Sequence, residues 1–213
     1  MQKKDKQTLY LGLDPRRFTP KYLLVHAPII EILPLALERS TFIKALACSH
    51  ILLTSRVAAN LFFANLKKFD IPQSAVHKKS LIAVGGATAS CLPHALCPKR
   101  EQAEGVCELL DALQLAKSRI FYPHSRRSRT TIIDYLTKRK LCFTDLVLYD
   151  TCRRKDFVMP DLRAFDEVVF TSPSTVEAFF YNEPFVPAHL DVTTIGPITH
   201  AAFLQYQKNL VTR

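Results

Sequence analysis

Ile51-Leu52-Leu53-Thr54-Ser55, continued by Val57-Ala58-Ala59, is an apolar run that stops at two hydroxyl residues and passes into small, helix-compatible positions. The same order of residue types returns at Val168-Val169-Phe170-Thr171-Ser172, continued by Val176-Glu177-Ala178. A short apolar run ending in a Ser or Thr N-cap is the pattern of a strand feeding a helix. A second signature lies downstream of each copy, an apolar strand, a glycine and a Thr-bearing helix start. It reads Ile82-Ala83-Val84-Gly85-Gly86-Ala87-Thr88-Ala89 in one half and Thr194-Ile195-Gly196-Pro197-Ile198-Thr199-His200-Ala201 in the other. The two signatures keep their order, and Thr54 stands from Gly85 about as Thr171 stands from Gly196. Self-similarity of this kind predicts two related α/β units, each a parallel sheet with flanking helices.

Working outward, β-rich apolar runs predict strands at 8–13, 22–26, 29–33, 50–53, 81–84, 119–122, 146–149, 167–170 and 192–195. Amphipathic stretches between them predict helices at 40–47, 56–67, 87–95, 101–115, 127–138, 173–180 and 197–205. Leu109, Leu110, Leu113 and Ala116 show the helical apolar period.

The chain has 213 residues, enough for one large domain or two small ones, and 48% of them are hydrophobic, which excludes a disordered chain. Lys plus Arg number 29 against 19 Asp plus Glu, a formal charge of +10. That balance favours an anionic partner, whether nucleic acid, a membrane surface or a multiply charged small molecule. Residues 1–7 are charged and no apolar cleavage-site segment follows, so a cytoplasmic protein is expected. The most apolar region, 22–37, is interrupted by His26, Pro28, Glu31 and Pro34, which excludes a membrane span. Six cysteines sit at irregular spacings, and Cys91, His94 and Cys97 do not match zinc-ligand gaps, so no metal site is expected.

In open α/β sheets ligands bind where strands end and helices begin. There the first backbone N–H groups of a helix lack internal partners and favour an anion. Ser55, Thr88, Ser172 and Thr199 add hydroxyls at four such turns, with Thr54, Gly85, Ser174 and Gly196 beside them. If the two halves face one another across a cleft, four separated anion sites suit carboxylates spread over a large frame. Contiguous phosphates would instead call for a GxxxxGK[ST] or GxGxxG cradle, and neither occurs. A further turn, Pro123-His124-Ser125-Arg126-Arg127-Ser128-Arg129, is the densest basic segment. Ser125, Arg126, Arg127 and Arg129 are candidates to clamp carboxylates, because a guanidinium meets a carboxylate in a bidentate fork. No GxSxG, HExxH or convincing carboxylate pair is present. Tyr149, ending the apolar run Leu146-Val147-Leu148-Tyr149, is the best candidate for proton transfer.

Leu53-Thr54-Ser55, Val84-Gly85 with Ala87-Thr88-Ala89, Phe121-Tyr122-Pro123, Val147-Leu148-Tyr149-Asp150-Thr151, Phe170-Thr171-Ser172-Pro173-Ser174 and Ile195-Gly196-Pro197 with Thr199 resemble, in order, the motifs of uroporphyrinogen-III synthases. The resemblance implies two flavodoxin-like domains joined by a two-segment linker. Domain one would hold 1–30 plus 154–213 and domain two 31–153, with connectors at 29–35 and 151–156. Domain one would be trimmed, because 13–21 is too short for the usual first helix and the chain ends soon after Phe203. The implied activity is that of a cytosolic, monomeric lyase without metal or organic cofactor. It takes hydroxymethylbilane, a linear tetrapyrrole polycarboxylate, expels water and closes the ring to uroporphyrinogen III with the last pyrrole inverted, in haem biosynthesis. Tyr149 would be the proton donor. The alternative is a non-catalytic module binding a polyanion, tetrapyrrole or RNA. Nucleic acid is not the expected partner, because most aromatics lie in apolar periodic positions rather than among the basic residues.

Overall fold

Leu9, Leu11, Leu52, Leu53, Val168, Val169 and Phe170 are each fully buried. Strands apolar on both faces have no solvent side, and such strands sit in parallel sheets covered by helices. The structure, a computed structural model, describes residues 5–113 and 115–211. In chain order the elements begin with β1 (Gln7–Tyr10), β2 (Leu23–His26), β3 (Ile30–Pro34), α1 (Arg39–Leu46), β4 (His50–Leu53), α2 (Arg56–Lys68), β5 (Ser80–Ala83) and α3 (Gly86–Ala89). There follow α4 (Ala103–Ala112), β6 (Arg119–Ser125), α5 (Thr131–Lys138), β7 (Cys142–Arg153), β8 (Glu167–Phe170), α6 (Pro173–Asn182), β9 (Asp191–Thr194) and α7 (Pro197–Val211). The chain divides into two compact units, Met1–Ile32 with Thr151–Arg213, and Leu33–Asp150. The extremes of the expected domain one, 1–4 and 212–213, and position 114 of the expected helix 101–115 lie outside the described residues.

The first unit carries a four-stranded sheet in the order β2-β1-β8-β9, with each adjacent pair parallel. Leu9, Leu11, Val168, Phe170, Val176, Phe179 and Phe203 join in its core. Phe170 meets Phe179 edge-on with centroids 5.2 Å apart. The buried Glu167 carboxylate accepts from Thr8 Oγ1 on β1 and Thr193 Oγ1 on β9, both at 2.6 Å, so its burial is compensated from both neighbouring strands. Between β1 and β2 the chain makes one 3-10 turn, Pro15–Arg17, capped by Asp14.

The second unit carries the order β3-β7-β6-β4-β5. The pairs β4–β5, β4–β6 and β6–β7 are parallel. Leu35 N donates to Leu148 O and Arg154 N donates to Ile29 O. Residue numbers rise on β3 as they fall on β7, so this pair is antiparallel. By strand alternation Leu52, Ile120 and Tyr122 face one side with Val106, Leu110 and Leu136. Phe121 faces the other, against Phe42 and Phe62 at 5.9 and 6.1 Å.

Four expectations change. The run expected at 146–149 is the middle of the longer β7, Cys142–Arg153. β6 continues past Tyr122 through Pro123 to Ser125, so Ser125 ends a strand instead of opening a loop. Pro123 is tolerated there because β4 pairs only with Ile120 and Phe121, leaving no partner on that side to miss its N–H. The helix expected at 87–95 is confined to Gly86–Ala89. Pro93 stops it, His94 takes φ 51°, and Leu96 returns to bridge Ile82 beside β5. The helix expected from 127 starts at Thr131, which leaves the arginines on a turn.

Candidate active site at the carboxyl edges of the sheets

In the second unit the chain leaves β4 toward β5 on one side and returns to β6 on the other. The crevice past the carboxyl ends of β4 and β6 is therefore that sheet's switch point, where open α/β sheets bind ligands. Two turns flank it, Thr54–Ser55 before α2 and the segment after Ser125 before α5.

Ser55 is the N-cap of α2, its Oγ accepting from Ala58 N at 3.0 Å. The same Oγ lies 2.9 Å from Tyr149 Oη. On the neighbouring strand Ser125 Oγ accepts from Arg127 N at 3.1 Å. Burial raises the Tyr149 phenol above its ordinary range, while Ser55 and Ser125 pull it down by a smaller amount. The net effect keeps the proton on Tyr149 through neutral pH, as a proton donor requires.

Beside it on β6, the Tyr122 phenol is likewise raised, by burial first, with Thr54 and Ser128 lowering it by less. Its ring stacks on His124 with centroids 4.6 Å apart. A carbonyl only accepts, so His124 Nδ1 donates to Ser125 O, at 2.8 Å. Tyr122 carries a quoted motif, yet nothing in the sequence assigned it a role.

The basic turn is brought to this edge, for Arg126 N donates to Tyr149 O at 2.9 Å. Arg126 Nε and Arg127 Nε approach the Asp150 carboxylate at 3.4 and 3.7 Å. Arg129 does not join them. Its guanidinium pairs with Glu104 on α4 at 2.8 and 3.3 Å, which holds that carboxyl below its usual range.

The Gly85–Thr88 turn also departs from expectation. Gly86 N donates to Glu101 Oε1 at 2.9 Å, so a carboxylate of the chain itself covers the start of α3. Thr88 is only 3% exposed and its side chain packs inward. Gly85 is required for close approach, since a Cβ there would run into the Glu101 side chain. Cys91 and Cys97 stay unpaired as free thiols, and among the described residues no three His, Cys, Asp or Glu side chains converge as metal ligands.

In the first unit the switch lies between β1 and β8, where β1 leads to β2 on one side and β8 to β9 on the other. Gly12 and Thr171 meet there, so closely that a Cβ at Gly12 would lie 2.5 Å from Thr171 Cγ2. Ser172 caps α6 in a reciprocal box with Thr175, and its Oγ lies 3.0 Å from Ser174 Oγ. Gly196 takes φ +83°, a left-handed conformation that favours glycine, just before Pro197 opens α7. Thr199, 3% exposed, packs inward like Thr88.

The fold and these turns define a class: two-unit parallel α/β proteins whose hydroxyls and helix starts gather at the carboxyl edges of both sheets. Within that class the chain belongs to the family of uroporphyrinogen-III synthase HemD, whose profile matches residues 22–211. Among solved structures it is similar to a mutant uroporphyrinogen III synthase of Thermus thermophilus, with 14% identity, TM-score 0.62, and coverage of 95% of this chain and 89% of that one. It is similar also to uroporphyrinogen-III synthetase of Helicobacter pylori, with 17% identity, TM-score 0.61, and coverage of 96% and 89%. At these identities the likeness carries the fold. Among curated proteins none matches the chain by sequence.

Proposed function

We propose that this chain converts hydroxymethylbilane to uroporphyrinogen III, and that Tyr149 supplies the proton. The reading is supported by family membership together with one observation, the buried Tyr149 phenol 2.9 Å from Ser55 Oγ beside a switch point. The C–O bond of the hydroxymethyl group breaks with its electron pair on oxygen, and the Tyr149 proton completes the departing water. The pyrrole nitrogen shares the resulting cation, which is why no stronger acid is required. The substituted α-carbon of the terminal pyrrole bonds to the cationic methylene and becomes quaternary. Its older bond to the bridging methylene then breaks, that methylene bonds instead to the pyrrole's unsubstituted α-carbon, and the proton lost from this carbon as the pyrrole regains aromaticity restores the phenol. The protein's further contribution is orientation, holding the two reacting ends together in the folded shape that gives inversion.

Arg126 and Arg127 hold substrate carboxylates in the second unit, and Ser172, Ser174 and the Gly196 turn do so in the first. The chain acts as a monomer in the cytoplasm. No helix among the described residues is long and apolar enough to cross a membrane. The test is to supply hydroxymethylbilane, oxidise the products and separate the isomers by chromatography. Type III in excess supports the assignment, and type I alone rejects it.

A further inference from the structure

His124, one residue before the end of β6, is 6% exposed, with its ring stacked on Tyr122. Burying an imidazole costs free energy unless its nitrogens meet partners. Nδ1 donates to Ser125 O at 2.8 Å, and Nε2 faces the Asp145 carboxylate on β7 at 3.5 Å. The Ser125 carbonyl also accepts from Ser128 N at 3.0 Å, so both of its lone pairs are taken, one by the ring and one by the turn. The pairing of β6 with β7 slips at this point. His124 stands beside Val147 and Ser125 beside Tyr149, which leaves Leu148 as the extra residue of a bulge. β4 has already parted from β6, its last pair being Ile51 with Phe121. A side chain therefore holds the Ser125 carbonyl where the sheet supports it least, and the next two residues are Arg126 and Arg127.

We infer that His124 is a positioning residue for the basic turn: its imidazole fixes the Ser125 carbonyl and so sets where Arg126 and Arg127 meet substrate carboxylates. The turn is also held by Ser125 Oγ accepting from Arg127 N at 3.1 Å and by Arg126 N donating to Tyr149 O at 2.9 Å. Loss of the imidazole therefore loosens the turn without unfolding it. Arg126 and Arg127 are exposed, so the loosening is felt at guanidiniums and not in the core. The nature of the ligand rests on the synthase reading; the hold on the turn does not.

Two readouts on His124→Phe separate these, since Phe keeps a ring against Tyr122 and removes the donor. Amide hydrogen exchange at Arg127 and Ser128 rises about three- to tenfold, the population effect of one net hydrogen bond, with Ile120 and Tyr122 of the same strand unchanged. With hydroxymethylbilane, KM rises by about the same factor while kcat stays within about twofold, as expected for lost ground-state binding. His124→Asn restores both readouts, because its amide nitrogen stands close to the place of Nδ1 and donates as Nδ1 does. Unaltered exchange or unaltered KM in the Phe variant overturns the inference. So does exchange quickened equally along β6, which makes His124 a general support of the core, and so does an Asn variant that behaves like Phe. If the wild-type chain yields only type I product, the synthase reading fails while the exchange measurement still decides the hold on the turn.

Discussion

At the scale of the residue, the decisive feature is a phenol that burial keeps neutral and that lies 2.9 Å from the Ser55 hydroxyl. Replacing Tyr149 by Phe removes the donor without emptying its space. We expect kcat to fall by about 10²-fold, the lower range for general acid catalysis, and by more than in Ser55→Ala or Thr199→Ala. Isomer-resolved turnover assays check this, and equal, negligible effects in all three variants would remove the assignment. Tyr122 and Tyr149 are held above the ordinary range by burial first, and Tyr135 is pushed up to about 12 by burial and then its bond to Asp111. A raised folded pKa means that the native state keeps its proton longer than the unfolded chain. The associated stability is complete below the unfolded tyrosine value near ~10 and drains away as pH climbs through the folded values. Ultraviolet titration should therefore show a late group of phenols, with stability eroding over the same alkaline interval; a single transition of all tyrosines near ~10 would contradict it.

At the scale of the element, caps and close approaches set the turns that carry the site. Ser172 caps α6 reciprocally with Thr175, and Ser172→Ala should cost about 1 kcal/mol in urea unfolding. Gly105, within α4, gives a sharper test because two effects oppose. Helix propensity alone favours Gly105→Ala by about 1 kcal/mol, but the added Cβ runs into the Arg100 carbonyl oxygen, which is backbone and yields only if the chain moves. Overpacking of that kind costs about 1–3 kcal/mol, so the variant should be less stable than the parent. A gain in stability would show that the segment before α4 gives way freely.

At the scale of the whole molecule, each unit has its own apolar core. Phe179, fully buried against Phe170 in the first unit, should cost about 3–5 kcal/mol when cut to Ala. Hydrogen exchange should then quicken in β1 and β8. Unchanged protection in those strands would mean that Phe179 does not anchor that core. The repeat of strand, hydroxyl turn and helix made this division into two α/β units legible before any coordinates. Strand positions were legible too, because burial on both faces leaves a continuous apolar run. Helix limits at 87–95 and 127–138 were not, since Pro93, the bridge at Leu96 and the extension of β6 act through neighbours that local pattern does not register.

What the residues determined by themselves is local: which runs bury both faces, where hydroxyls cap helices, and that Ser55 follows a strand and opens a helix. Only the tertiary structure decided who meets whom. Ser55 and Tyr149 are separated by 94 positions and lie 2.9 Å apart, because strand order sets β4 beside β6 and β6 beside β7. The same folding placed Glu101 on the Gly86 turn, Glu104 on Arg129 and Asp150 beside Arg126 and Arg127. The physical reason is that burial and capping are written in residue type over a few positions, whereas charge pairing depends on distance through space, and sequence order does not encode distance until the sheet is assembled.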